Sequence, residues 1–181
     1  MCLRLFGVGI KIEYSLFTLL SVAILLGFNS VLVVLLMSVL HEAGHIAALY
    51  LLGGKADEIV LSYYGIGLKH SSNLSVVKET VFLLSGVAVN LLLYCFGIER
   101  QINLALIFIN LLPVYPLDGG RVFVLIIKSA FSLSVSDRIY KLVLTVFLIL
   151  LFSAAVYFKN LSLILIVIYI IFYSINFKGF L

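Results

Sequence analysis

The sequence predicts an all-α polytopic membrane protein of about six transmembrane helices, with a short membrane-associated β-hairpin and a broken fourth helix. Three observations lead there. Of the 181 residues, 64% are hydrophobic and only 11% charged, where soluble domains carry about half apolar and about a quarter charged residues. Apolar runs recur at the length a bilayer demands, about 20 residues with about 17 as a lower limit. The lysines and arginines then gather at alternate ends of these runs, the bias that orients membrane proteins.

The chain, 1–181, reads as a single transmembrane domain with spans at about 10–28, 31–52, 76–96, 102–127, 140–158 and 161–177. The first is short between Tyr14 and Phe28 and borrows Ile10 and Ile12; Gly27, Asn29 and Ser30 offer a turn into the second. A rival parse runs one helix from Tyr14 to Met37 and leaves residues 38–54 in water at its end. Arg4 and Lys11 ahead of an apolar run suit a signal peptide, but no small-x-small cleavage pattern comes before Asn29, so the run reads as retained. Residues 55–78 are the most polar stretch. Within them "IVLSYYGIGLKH" is rich in β-branched and aromatic residues, with Gly65 and Gly67 at turn or bulge positions, and reads as a hairpin. Pro113 and Pro116 interrupt the fourth run; each lacks a backbone donor and crowds the preceding turn, so the helix should break. Lys159 and Asn160 turn the chain between the last two spans.

Six spans place both termini on one side. Of the 12 basic residues, Arg4, Lys11, Lys55, Lys69, Lys78, Arg121, Lys128, Arg138, Lys141 and Lys178 share that side, against Arg100 and Lys159 opposite. The termini are therefore expected in the cytoplasm. The same excess accounts for the net charge of +4, and no basic patch with interleaved aromatics lies outside the spans, so nucleic acid is not an expected partner. Cys2 and Cys95 have no spacing that suggests a disulfide framework or a thiolate site. The lack of an internal repeat counts against a transporter built from duplicated halves.

Chemistry concentrates in "SVLHEAGHIAALYLLGG", residues 38–54. On a helix, residues four apart differ by about 40° in direction and about 6 Å in height, so His41 and His45 can reach one ion. Glu42 projects about 60° to the other side of His45, placed to flank a metal-bound water as general base; this is why H-E-x-x-H works as a zinc site. A satisfied interhelical polar pair is the plainer explanation. Against it, a charged group near the bilayer centre costs about 2.5–3.5 kcal/mol even on the lenient insertion scale, and three ionisable groups fall within five residues. A catalytic zinc takes three protein ligands and keeps a position for water. His70, beside Lys69 in the polar stretch, is one candidate. Asp118, in "NLLPVYPLDGGRV", is the better one: broken backbone at membrane depth is tolerated where it is buried in protein or lines a watery cavity, and Gly119 and Gly120 let the chain turn closely there. Zn²⁺ with two neutral imidazoles and the Asp118 and Glu42 carboxylates sums to zero charge, which makes burial of the set feasible.

HEAGH on an early span and N-x-x-P-x-x-P-L-D-G-G on a later one resemble the site-2 protease family of intramembrane zinc metalloproteases, peptidase family M50, and in compact form the stage IV sporulation peptidase group. The resemblance runs from about Gly9 to Phe177. It implies zinc as cofactor, His41, His45 and Asp118 as its ligands, Glu42 as catalytic acid/base, and Asn110 as a residue engaging the substrate or the oxyanion. "SGVAVN" keeps Gly86 and Asn90 at the spacing of the family's G-P-x-x-N pattern but has Val87 for the proline, which weakens any such role for Asn90. It also implies a multi-pass protein of the bacterial inner membrane, a membrane-associated protein substrate such as a sporulation pro-sigma factor, and inhibitory membrane proteins as partners. Neither a PDZ insert nor a CBS domain is expected within the chain. Two other functions compete: a catalytically silent metal-binding membrane scaffold, which has no use for Glu42, and a small metal transporter, whose ion must leave easily.

Overall fold

The structure, a computed structural model, describes residues 2–5, 8–12, 21, 29–62, 65–70, 72–115, 117–159 and 168. They fall into two compact units, Met1–Leu112 and Pro113–Leu181, divided at the proline-marked break in a chain whose sequence reads as one domain.

In the first unit, strands β1 (Cys2–Leu5), β2 (Val8–Ile12), β3 (Glu58–Ser62) and β4 (Gly65–Lys69) form one sheet in the order β1-β2-β3-β4. β1 pairs antiparallel with β2, and β3 antiparallel with β4, in the register Glu58 opposite Lys69 and Leu61 opposite Ile66. β2 and β3 run parallel, with Ile10 opposite Ile59. Parallel neighbours need a crossover, and helix α1 (Asn29–Leu51) lies in it. α1 ends in a paired glycine cap: Gly53, at φ +83°, donates to Tyr50 O, and Gly54 donates to Leu49 O. This is the Schellman arrangement, which suits a residue without Cβ in the left-handed region. Helix α2 (Val76–Cys95) starts at Ser75, with Glu79 in its first turn, where the helix dipole favours an acid. It closes with Gly97, at φ +81°, in the same type of cap. Glu99 then leads into helix α3 (Arg100–Asn110).

α1 packs on α2, on α3 and against β4, and α2 packs on α3. The crossing of α1 and α2 is close: a Cβ on Gly44 would stand 2.7 Å from Val89 Cγ2 and 2.9 Å from the Ser85 carbonyl oxygen. Small residues at such contacts are how membrane helices let their backbones approach.

In the second unit, helix α4 (Asp118–Ala130) packs against helix α5 (Leu133–Tyr157). Ser136 Oγ on α5 donates to the Ile127 carbonyl on α4, 3.0 Å away.

Among the described residues, three helical stretches, Ser30–Leu51, Val76–Cys95 and Leu133–Tyr157, are long and apolar enough to cross a membrane, and the chain is an integral membrane protein. α1 and α2 match the expected second and third spans. The helix through His41 and His45 is continuous from Asn29 to Leu51, which disposes of the parse ending a helix at Met37. The expected span 102–127 is two short helices, α3 and α4, with the break at residues 111–117; Pro116 lies outside the described residues. The expected fifth span, 140–158, begins seven residues earlier, at Leu133. The sixth, 161–177, lies outside the described residues apart from Ile168.

Two expectations are corrected. The chain is not all-α, because a four-stranded sheet accompanies the helices. The first span cannot begin near residue 10, since Val8–Ile12 is strand β2. Short apolar runs carry no period that separates strand from helix, so Ile10 and Ile12 suit a strand as well as the start of a span. Of the rest of that span only Ser21, which is helical, is described.

Candidate metal centre

Among the described residues, one group of acidic and histidine side chains is arranged to hold a metal ion: His41, Glu42 and His45, whose ligand atoms lie within 4.8 Å of one another. Both imidazoles are 4% exposed and Glu42 is half-buried. One helical turn separates the histidines. Their rings meet edge to face, centroids 4.8 Å apart and planes at 80°, with the two Nε2 atoms 3.1 Å apart.

Each imidazole is held by its other nitrogen. His45 Nδ1 donates to the Phe82 carbonyl at 2.8 Å, and Ser85 Oγ, which donates to the same carbonyl, lies 3.3 Å from that nitrogen. His41 Nδ1 faces Asn90 Oδ1. A carbonyl or amide oxygen accepts, so Nδ1 carries the proton on both rings and each Nε2 keeps its lone pair. This is the tautomer of a metal ligand whose second nitrogen is tied to an acceptor. Gly86 completes the cradle: a Cβ there would stand 2.5 Å from both Nε2 atoms.

These residues fit a zinc ion. Two nitrogens bound tetrahedrally at about 2.0–2.1 Å stand about 3.3–3.4 Å apart, close to the 3.1 Å observed. Two lone pairs facing at that distance repel each other unless a cation or a proton lies between them.

His70, the other histidine weighed from the sequence, is directed elsewhere. Its Nε2 lies 3.4 Å from Glu79 Oε1, and its ring packs edge to face on Phe82, whose ring also meets that of His45. Asn90 is wholly buried, with its oxygen on His41 and its nitrogen donating to Asn103 Oδ1 at 2.7 Å. Asn110 is half-buried at the end of α3, where its Nδ2 donates to the Leu106 carbonyl.

Asp118 is buried as the first residue of α4 in the second unit, where the positive end of the helix dipole favours a carboxylate. Gly120 explains the glycine pair. A Cβ on it would stand 2.3 Å from the Val114 carbonyl carbon and 2.5 Å from Tyr115 N, so the broken segment lies directly on the start of α4. The Tyr115 N–H donates to Tyr140 Oη on α5 at 3.1 Å, and the Leu117 N–H donates to the Val114 carbonyl. Sequence reasoning missed Asn103, the Phe82 carbonyl and Tyr140. Asn103 carried a usable signal, a buried amide inside the apolar run QINLALIF.

A sequence model of peptidase family M50 matches residues 68–154. The chain is 24% identical over 148 residues to stage IV sporulation protein FB of Bacillus subtilis (strain 168), a match covering 72% of this chain and 51% of the relative, so the chain spans about half that protein's length. Its fold is similar to that of the site-2 protease from Methanocaldococcus jannaschii, with a TM-score of 0.62 at 22% identity over 95% of this chain and 92% of that one. The matched stretch 68–154 holds the broken segment and Asp118 but not residues 41–45, so the family likeness and the histidine geometry are independent observations. Together they lead to one likeness: the chain is similar to peptidase family M50 in sequence over residues 68–154, and to a site-2 protease in fold.

Proposed function

We propose that the chain is a zinc-dependent endopeptidase that cleaves a membrane-associated protein within or near the bilayer. The observation that carries the reading is the pair of Nε2 atoms 3.1 Å apart, with Glu42 beside them, on a helix long and apolar enough to span a membrane. His41, His45 and Asp118 would hold the zinc. A bound zinc supplies Lewis acidity, acidifying water and polarising a carbonyl. Glu42, the residue next to a ligand and only half-buried, takes the proton from the attacking water and returns it to the leaving amine. Asn110 is the proposed contact for the substrate backbone or the oxyanion.

A substrate helix must unwind before its carbonyls can be attacked. β4 is the last strand in the order of the described sheet and packs against α1, the helix of the histidines. Its outer edge is the proposed seat for the unwound segment as an added strand. The likeness to a sporulation protein favours a sporulation pro-sigma factor as substrate, with inhibitory membrane proteins as regulators. The bacterial inner membrane, with both termini in the cytoplasm, is the proposed location.

The test is cleavage of a panel of single-span and membrane-associated pro-proteins by the chain purified in detergent. Glu42→Gln should keep its zinc and lose cleavage by about 10²–10⁴-fold, the usual share of general acid–base catalysis. Activity that survives Glu42→Gln sinks the mechanism.

A further inference from the structure

The metal centre depends on which nitrogen of His41 carries the proton, and a line of buried amides decides it. His41 Nδ1 faces Asn90 Oδ1, Asn90 Nδ2 donates to Asn103 Oδ1 at 2.7 Å, and Asn103 Nδ2 donates to the Ile98 carbonyl at 2.9 Å. Asn90 and Asn103 are both 0% exposed. The sense of the line is set at its far end. A backbone carbonyl can only accept, so Asn103 must turn its nitrogen to Ile98 and its oxygen to Asn90. Asn90 must then turn its nitrogen to Asn103 and its oxygen to His41. His41 Nδ1 therefore donates, and Nε2 faces His45 with a lone pair. Reversing either amide would set like groups against each other in a site shielded from water.

The Ile98 carbonyl is available for a structural reason. Gly97 at φ +81° and Glu99 at φ 39° turn the chain between α2 and α3. The carbonyls of Ile98 and Glu99 fall in that turn, and Asn103 Nδ2 lies 2.9 Å from the first and 3.3 Å from the second. It also lies 3.4 Å from Met37 Sδ, one turn before His41 on α1.

We infer that Asn103 is a positioning residue which, through Asn90, fixes the His41 tautomer that presents Nε2 to the metal. This rests on the zinc reading above. The competing account is that Asn103 only stitches the α2–α3 turn.

A double-variant cycle separates them. A carboxylate accepts from a histidine N–H with either oxygen and needs no neighbour to orient it. Asn90→Asp therefore makes Asn103 dispensable, while alone it sets its carboxylate against Asn103 Oδ1. The full chain in detergent is titrated with zinc against a chromophoric chelator. Asn103→Leu should weaken binding about tenfold, the lower end of what a lost partner behind a ligand costs. Asn90→Asp combined with Asn103→Leu should bind more tightly than either single variant. ¹⁵N spectra, tractable with only three histidines, should place the His41 proton on Nδ1 in the zinc-loaded wild type. Unchanged affinity in Asn103→Leu, or a double variant no tighter than Asn103→Leu, overturns the inference and leaves the protease reading standing. Coordination of wild-type His41 through Nδ1 overturns it without any substitution. A wild type that binds no zinc overturns the metal reading, and the relay with it.

Discussion

Replacing Gly86 with alanine puts a methyl group where the two metal-facing nitrogens meet. The added Cβ would stand 2.5 Å from His41 Nε2, 2.5 Å from His45 Nε2 and 2.7 Å from His41 Cδ2, where ordinary contact begins at 3.4 Å. Something must give by about 0.9 Å. The imidazoles cannot swing aside cheaply, because His45 Nδ1 is tied to the Phe82 carbonyl and His41 Nδ1 to Asn90. Metal sites tolerate about ±0.2 Å in ligand distance, so the shift is several times what zinc can absorb. Zinc affinity should fall at least about 100-fold, about 2.7 kcal/mol. The helix should not suffer to match: alanine is favoured over glycine in a helix interior by about 0.8–1.0 kcal/mol. The measurements are chelator competition for zinc and helical content by circular dichroism through a thermal melt, both in the same detergent. A folded Gly86→Ala protein that binds zinc within about threefold of wild type would refute the cradle, and with it the placing of the ion between the two Nε2 atoms.

Three further outcomes are expected. Asp118→Ala should weaken zinc while leaving helical content unchanged; retention at wild-type affinity would remove Asp118 as the third ligand. Gly120→Ala forces a Cβ to within 2.3 Å of Val114 backbone, where no side chain can yield, and should lower stability to denaturant by about 1–3 kcal/mol as overpacking does. Photocrosslinkers placed along residues 59–69 of the Glu42→Gln protein should capture a bound substrate; no capture from these positions, while crosslinkers placed beside residue 42 do capture it, would end the added-strand proposal.

The parts of the fold legible in the sequence were those with a long period or a strong breaker. The runs giving α1 and α2 were readable because about 20 apolar residues admit few other structures, and Pro113 with the double glycine marked the break before Asp118. β1 and β2 were not legible: Val8–Ile12 is five residues beside a longer apolar run, and a short apolar stretch fits a strand or a helix end equally. The hairpin stretch was readable from its β-branched residues and glycines; of its turn, residues 63 and 64 lie outside the described residues. At the site, His41, Glu42 and His45 announced themselves through i, i+4 spacing. The acceptors behind the imidazoles did not, since Phe82 and Asn90 lie 37 and 49 residues from the histidines they hold. No local pattern encodes a partner at that distance.

One regularity does connect the two helices, and it lies in the spacing of single residues. On α1, Met37, His41, His45 and Leu49 recur every fourth position, and all are at most 4% exposed. On α2, Phe82, Gly86 and Asn90 do the same, and all are buried. Rows at four-residue spacing are the ridges by which helices pack, so each row faces the other along its length. The α2 row has an acceptor at each end and no side chain between. Its two turns set the Phe82 carbonyl and the Asn90 amide on either side of Gly86, one for His45 and one for His41. The rows also differ in what they cost. Every buried polar atom in them must be partnered, because an unpaired one costs about 1–3 kcal/mol, about twice what a net hydrogen bond returns. Asn90 in this row therefore requires a second polar residue beyond it, and Asn103 meets that requirement. The buried polar groups of these two rows, with Asn103 beyond them, form one connected set, and a change at any member should be felt at the histidine nitrogens.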